Sequence, residues 1–543
     1  MSRLPSPLTL GLLLLLPASP LAAGPPFREA GDAWGVRFRH HHAGSGQLYM
    51  IETMGSGVVV WDYDGDGDED LFFVDSGPLP GYTGEPPRSV LFRNDGGGRF
   101  RDATAGSGLA VTGYGMGGTA GDVDGDGDLD LLVTSFGASQ LFANRGDGTF
   151  ADTTARAGLG APGWWTSAGF ADPDRDGDLD LYVANYVDFA FDKNPVCGLK
   201  ERNLRSYCHP DVYEGIPDRF YRNRGDGTFE DSTAAAGLPQ DKGNGLGVIW
   251  GDVDADGWPD LYVANDMTPG FLFHNRKDGS FEEVGLQSGT ALSDLGKPEA
   301  GMGVDLGDLD GNGWPDLFVT HLDLQTSVLY SNLGGLAFVD ARYVANLAAP
   351  SMHQVGFGTV FADFDQDGDL DVAVANGHII HNVELWGTGT TYKQRNQLFA
   401  NQGKGRFREV EDSGLDAVRS SRGMAAGDLD GDGDIDLVVS NNDDWSELYE
   451  NVAAGAGGWL LVDLAGVASN RSGIGARLEV ETAGGRQLRE ARTASSYLSQ
   501  NALAVHFGLG EAPRADRLTL RWPSGKVQRF EAVPTNRRVL IVE

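Results

Sequence analysis

Asp62-Tyr63-Asp64-Gly65-Asp66-Gly67-Asp68-Glu69-Asp70 places a carboxylate at every odd position of nine residues, with glycine at the fourth and sixth. The phrase returns six more times. Its odd positions are then Asp122, Asp124, Asp126, Asp128 and Asp130; Asp172, Asp174, Asp176, Asp178 and Asp180; Asp252, Asp254, Asp256, Trp258 and Asp260. The last three copies carry Asp308, Asp310, Asn312, Trp314 and Asp316; Asp363, Asp365, Asp367, Asp369 and Asp371; and Asp428, Asp430, Asp432, Asp434 and Asp436. Calcium takes about six to eight hard oxygen ligands in a flexible shell. Side chains at positions 1, 3, 5 and 9 and a backbone carbonyl at position 7, as at Trp258 and Trp314, meet that demand. Glycine lets the chain wrap the ion with positive φ. Asn312 remains an oxygen donor, whereas Pro173, Arg175 and Ala255 are expected to weaken the third and fourth loops. Uncompensated carboxylates this close repel one another, so about seven structural Ca2+ sites are expected. No open coordination position beside a general base is visible, and metal catalysis is not expected.

The loops also count structural units. A short strand such as Gly57–Trp61 precedes each loop, and an apolar strand such as Leu71–Val74 or Leu261–Ala264 follows. A third strand ends in asparagine, as in Leu141–Asn144 and Leu448–Asn451, and a glycine-rich turn leads to a fourth that opens with Phe, as at Phe100, Phe150 and Phe407. Four strands per unit, repeated seven times without sustained helical periodicity, predict an all-β chain built as a seven-bladed β-propeller. The seventh unit lacks a Phe-led fourth strand, and the orphan Phe27-Arg28-Glu29-Ala30 supplies one, so the N-terminal segment is expected to close the last blade. Two insertions, Val187–Pro217 and His378–Gln397, sit between second and third strands of the third and sixth units.

Residues 1–23 read as an export signal: Arg3, an apolar core from Leu8 to Leu16, then Ala22 and Ala23. The core is too short to span a bilayer, and no Cys follows it, which predicts a secreted or periplasmic protein without a lipid anchor. The formal net charge of −36 argues against nucleic acid and anionic membranes as partners. Cys197 and Cys208 read as a disulfide in an oxidising compartment. The alternative, a metal pair helped by His209, has the wrong spacing for a zinc knuckle.

The propeller is expected over residues 24–456. Beyond it, residues 457–543 read as a separate small β domain of alternating strands, among them Trp459–Leu464, Ala476–Thr482 and Arg517–Trp522. The loops and their flanking strands resemble the FG-GAP/VCBS repeats of integrin-α-like propellers. The C-terminal segment resembles the ASPIC/UnbV domain through Asn470-Arg471-Ser472-Gly473-Ile474-Gly475-Ala476, Ser499-Gln500, His506-Phe507-Gly508-Leu509-Gly510 and Trp522-Pro523-Ser524-Gly525. The combination is similar to the cartilage acidic protein family and its bacterial relatives. That resemblance implies an extracellular calcium-binding protein and specifies no reaction.

Five residues past the last aspartate of each loop stand Asp75, Ser135, Asn185, Asn265, His321, Asn376 and Asn441. Antiparallel connection puts these on the face opposite the acidic loops. Together with His378 and both insertions they are expected to form a polar recognition ring for a protein or glycan ligand. The competing reading is turn chemistry, since Asn and Asp end strands and start turns. Two further alternatives are a secreted polysaccharide lyase or hydrolase using His321 or His378, and an accessory protein of a biosynthetic or secretion pathway. Arg145-Gly146-Asp147 and Arg224-Gly225-Asp226 fall in third-to-fourth-strand turns, where hairpin chemistry explains them. Of His40, His41 and His42, one is expected to face inward.

Overall fold

The computed structural model describes residues 26–238, 243–453 and 457–543. The export signal lies outside the described residues. Helix is confined to single turns such as Thr154–Ala157 and Gly285–Ser288, and the rest of the regular structure is β. Seven four-stranded antiparallel units follow the acidic loops. The first is Val58–Trp61, Asp70–Phe73, Val90–Asn94 and Phe100–Asp102, each strand paired with the next. The seventh joins Ser421–Gly427, Asp436–Asn441 and Glu447–Asn451 to the N-terminal strand Phe27–Glu29, with Phe27 opposite Asn451 and Glu29 opposite Tyr449. The orphan phrase therefore closes the last unit as expected. Units two and three are also joined directly, Pro162–Trp164 pairing with Phe136–Ala138.

The innermost strands touch in a closed cycle: Val58–Trp61, Tyr114–Gly121, Pro162–Ala171, Gly245–Gly251, Val304–Gly307, Gly356–Ala362, Ser421–Gly427 and back to the first. Their second strands are apolar on both faces because each unit is sandwiched between two others. Val59, Phe72 and Leu91 of unit one pack on Ala120, Leu131 and Phe142 of unit two. On the other side, Val58, Leu71 and Phe73 pack on Ala425, Val438 and Leu448 of unit seven. Burying each such side chain contributes roughly 1.5–3 kcal/mol before entropy, so no unit is stable without neighbours.

The C-terminal region builds a core of its own and also engages the ring. Its strands Gly458–Ala465, Val505–Gly510 and Arg537–Val542 form one sheet, and Arg477–Thr482, Gly485–Glu490, Arg514–Arg521 and Val527–Pro534 a second, around Leu460, Leu478, Phe507 and Trp522. This cap sits on the acidic-loop face, with arginines aimed at the loops: Arg477 Nη2 donates to the Gly313 carbonyl at 3.0 Å, and Arg538 Nη1 to that of Gly67 at 2.5 Å. From it, residues 493–502 run into the middle of the ring as a plug. Gln500 exchanges backbone hydrogen bonds with Val58 and Val60 of unit one, and its Oε1 accepts from Thr119 Oγ1 at 2.7 Å and Ala120 N at 2.8 Å in unit two. Leu498 N donates to Ser167 Oγ of unit three, Ser496 pairs with Val304 of unit five, and Ser496 Oγ donates to the Met424 carbonyl of unit seven. Tyr497 is fully buried and its hydroxyl donates to the Met54 carbonyl. Glycines make room for this: a Cβ on Gly57 would lie 1.6 Å from the Leu498 carbonyl oxygen, and one on Gly117 2.4 Å from it. The plug's unpaired backbone demands partners, and inner strands on every side of the shaft supply them.

Candidate metal centres

Each acidic loop is held by its own backbone. Asp62 Oδ1 and Oδ2 accept from Asp66 N and Gly67 N, and position 1 of the other loops repeats the pattern, as Asp122 does with Gly125 and Gly127. Position 6 is glycine with φ between +90° and +104° in all seven loops. Position 4 is not always glycine. Arg175, Ala255 and Gln366 adopt φ of +60°, +56° and +57° there. The expected weakness of loops three and four therefore does not come from a different backbone course, since loop six tolerates the same strain. In loops one to four, three carboxylates approach within 4.8 Å of one another, as Asp62, Asp64 and Asp66; Asp122, Asp124 and Asp130; Asp172, Asp174 and Asp176; and Asp252, Asp254 and Asp256 do. Several of these carboxylates have a buried oxygen with no protein partner, Asp64 Oδ1, Asp124 Oδ1 and Asp172 Oδ1 among them, as has Asp308 of loop five. The donor set fits a hard divalent cation.

In six of the seven loops position 9 is the most buried carboxylate. Burial pushes the Asp70 carboxyl up to about 9, Asp130 and Asp180 to about 8, and Asp316 to about 7, against backbone hydrogen bonds that pull them down. A carboxylate so placed needs either a proton or a cation.

The asparagine that ends each third strand proves to be the joint between units. Asn144 donates its backbone N–H to Asp130 Oδ1 at 2.8 Å, and its Nδ2 to the Leu129 carbonyl of its own loop at 3.0 Å and the Tyr63 carbonyl of loop one at 2.8 Å. Asn223 reaches Val123, Asn275 reaches Pro173, Asn332 reaches Val253, Asn401 reaches Leu309 and Asn451 reaches Phe364 in the same way. Asn94 reaches Leu429 of loop seven, which closes the circle. The recurrence of Asn at this position was visible in the sequence. Its partner in the preceding unit was not.

The expected recognition ring is corrected by burial. Asp75, Ser135, Asn185, Asn265, His321, Asn376, His378 and Asn441 are each at most 5 % exposed. Most are consumed in turns: Asn265 Nδ2 donates to the Pro269 carbonyl at 2.7 Å, Asn376 Nδ2 to that of Arg395 at 3.0 Å, and Asn441 Nδ2 to that of Trp445 at 2.6 Å. Asp75 accepts from His41 N and Arg88 N. Turn chemistry, the competing reading, accounts for the ring. Burial pushes the His321 imidazole down to about 3, and its Nδ1–H donates to the Thr326 carbonyl at 2.9 Å. The cavity beside it has a volume of about 10 Å3, less than a sugar ring needs. His378 is separate, with Nδ1 accepting from Ile380 N and Nε2 3.3 Å from Asp323. The two histidines do not share a pocket. Of the histidine tract, His40 alone is fully buried, as expected. The Asp147 and Asp226 carboxylates accept from Thr149 and Thr228 within their hairpin turns.

What covers that face is the pair of insertions. They meet: Ser206 Oγ lies 3.0 Å from Asn382 Oδ1, Asn382 Nδ2 donates to the Arg205 carbonyl at 2.9 Å, and Tyr207 stacks edge-on to His381 at 5.1 Å. Cys197 and Cys208 form a disulfide within the first insertion, so the metal-pair alternative falls. Tyr207 OH donates to Glu52 Oε2 at 2.9 Å beneath them. No described helix is long and apolar enough to cross a membrane.

Comparison with known proteins matches this organisation. The chain is 27% identical over 331 residues to human cartilage acidic protein 1, covering 58% of this chain and 46% of the relative. The mouse protein of that name is 26% identical over 344 residues, 60% and 49% of the two chains. The chain thus spans about half the length of the curated relatives it matches. Among solved structures, an Agrocybe aegerita lectin recognising non-reducing terminal N-acetylglucosamine aligns with a TM-score of 0.41 at 17% identity, over 74% of this chain and 92% of its own. Rhamnogalacturonan lyase YesW aligns at 0.34 and 13%, over 92% of each chain. Overlaps this loose carry no functional argument. The FG-GAP-like repeat profile matches 62–133, 122–183, 210–263, 252–319, 308–374 and 363–439, and the ASPIC and UnbV profile 466–543. With acidic loops, interlocking asparagines and cap all accounted for, the chain belongs to the FG-GAP-like repeat family and carries a C-terminal ASPIC and UnbV domain.

Proposed function

We propose that this is an exported, calcium-stabilised scaffold whose insertion-bearing face recognises a protein or glycan outside the cell. Calcium enters as the ion that the loop oxygens suit, and millimolar extracellular calcium fills even weak sites of this kind. The disulfide and the similarity to cartilage acidic protein 1 support an oxidising, extracellular setting. The observation that carries the recognition reading is the joined insertions. They are the longest departures from the repeat between second and third strands on that face among the described residues, and they present exposed apolar side chains, Val196, Val212 and Leu385. Apolar groups on a covalently stapled, irregular surface are what recognition requires and what a ring of identical turns does not provide. The buried polar ring serves as the base that positions the insertions.

The test is binding of the calcium-loaded protein to arrays of glycans and of extracellular matrix proteins, beside a Val196→Glu, Leu385→Glu variant. Loss of capture with an unchanged melting temperature supports the reading. Capture that survives both substitutions puts recognition elsewhere.

A further inference from the structure

The residue just before the interlocking asparagine differs from unit to unit: Arg93, Ala143, Arg222, His274, Ser331, Ala400 and Glu450. In three units this residue is basic and turns into the acidic loop of its own unit. Arg93 Nη1 lies 2.8 Å from Asp64 Oδ2 and its Nη2 2.9 Å from Asp66 Oδ2. Arg222 pairs with Asp174 and stands 3.5 Å from Asp180 Oδ2. His274 Nδ1 is 3.0 Å from Asp260 Oδ1 and 3.8 Å from Asp254 Oδ2. Loop four gathers more positive charge, with Lys277 Nζ 2.8 Å from Asp256 Oδ2 and Arg477 Nη1 3.6 Å from Asp252 Oδ2. Among the described residues, no Lys, Arg or His forms an ion pair with a carboxylate of loops two, five, six or seven.

Resting on the calcium reading above, we propose that the seven loops form two classes. Loops two, five, six and seven bind a divalent ion tightly. Loops one, three and four carry a built-in side-chain cation and bind the ion weakly. The cation acts in two ways. It occupies oxygens at positions 3, 5 or 9 that the ion would need, and it places like charge a few ångströms from where the ion would sit, in a partly buried site where screening is poor. The ion must displace the side chain or share the loop with it. The unpartnered Asp64 Oδ1 and Asp174 Oδ1 show that compensation is partial, so the second class is weakened rather than abolished. A consequence for the fold follows. Units one, three and four keep a cation paired into the loop at low calcium, whereas loops five and six have only the buried Arg489 near Asp308, Asp363 and Asp369, in no ion pair with them, so ion loss loosens the units without a paired cation more.

Calcium titration of the chelator-stripped, full mature protein, followed by calorimetry and elemental analysis, separates the outcomes. Four tight ions and three at least about tenfold weaker are expected, with Arg93→Gln raising the tight count to five and Ala143→Arg lowering it to three. Seven equivalent ions would overturn the two classes and leave the calcium reading standing; no bound ion would overturn both. Tight counts unmoved by Arg93→Gln and Ala143→Arg would also overturn the assignment. Terbium gives a local readout, because position 7 is tryptophan in one loop of each class. At limiting terbium in a Trp459→Phe background, which removes the ring packed on Gly433 of loop seven, Trp314→Phe removes most sensitised emission and Trp258→Phe does not. The reverse result sinks the proposal even if the total count is four.

Discussion

The two faces of the ring are built on opposite plans. The acidic-loop face is one phrase repeated seven times, each copy bonded to the one before by an asparagine amide, and then roofed by a cap that inserts a plug into the shaft. The insertion face is irregular: two excursions from units three and six that touch each other, the first of them stapled internally by a disulfide. The first distributes stability over many equivalent contacts, so breaking one joint injures the whole ring. The second concentrates its variation where the ring does not depend on it, which leaves it free to carry recognition. Perturbations should therefore be global on the loop face and local on the other.

The largest effect is expected from removing the ions. A tightly held ion at a thousandfold over its dissociation constant stabilises by about 4 kcal/mol. Stripping several loops should lower the melting temperature by tens of degrees, and a small change would break the contrast between the faces. Next is Asn223→Asp. The substitution removes both Nδ2–H donors to Leu179 and Val123 and sets a carboxylate beside their carbonyls. Two buried acceptors lose their partner at about 1–3 kcal/mol each, and cooperative unfolding of the whole chain by denaturant should record the sum. If only unit three loosens in hydrogen exchange, the joints do not couple the ring.

Replacing both cysteines by serine should cost about 2–3 kcal/mol by the chain-entropy argument and raise exchange in the first insertion while the loop face stays protected. Gly57→Ala is expected to cost about 1–3 kcal/mol through overpacking, because its methyl would meet the Leu498 carbonyl. Its signature is proteolytic exposure of 493–502 with the cap still folded. The smallest effect is on pH. Buried carboxyls such as Asp70 and Asp130 hold their protons more tightly folded than unfolded. The ion-free protein therefore binds more protons when folded, gains stability as pH falls from about 9 towards 6, and loses it as pH rises through the folded values. Calcium should reverse the slope, because proton and ion compete for the same oxygens. Melting in chelator at the two pH values, repeated in calcium, checks both signs.

How much was legible differs between the faces for the same reason. The loops, the strand order and the closure by Phe27–Glu29 follow from local spacing, and local spacing is what a repeat displays. The disulfide and the places where the insertions leave the repeat were legible too. The polar ring misled because polarity at a strand end signals a turn and exposure equally. Which of the two holds depends on what lies above it, and here residues from units three and six lie above it. Arg93 and Arg222 stood in plain view as surface-like residues of short strands. Their entry into the loops is a matter of side-chain direction.

The sequence by itself determined the repeat, its oxygen-rich loops, the all-β units and the means of closing the ring, because each depends on residues near one another along the chain. Only the tertiary structure decided that the cap plugs the shaft, that each asparagine bonds to the preceding unit and that three loops carry their own cation. Those facts depend on groups brought together from distant units, where packing and burial, not spacing, choose the partner.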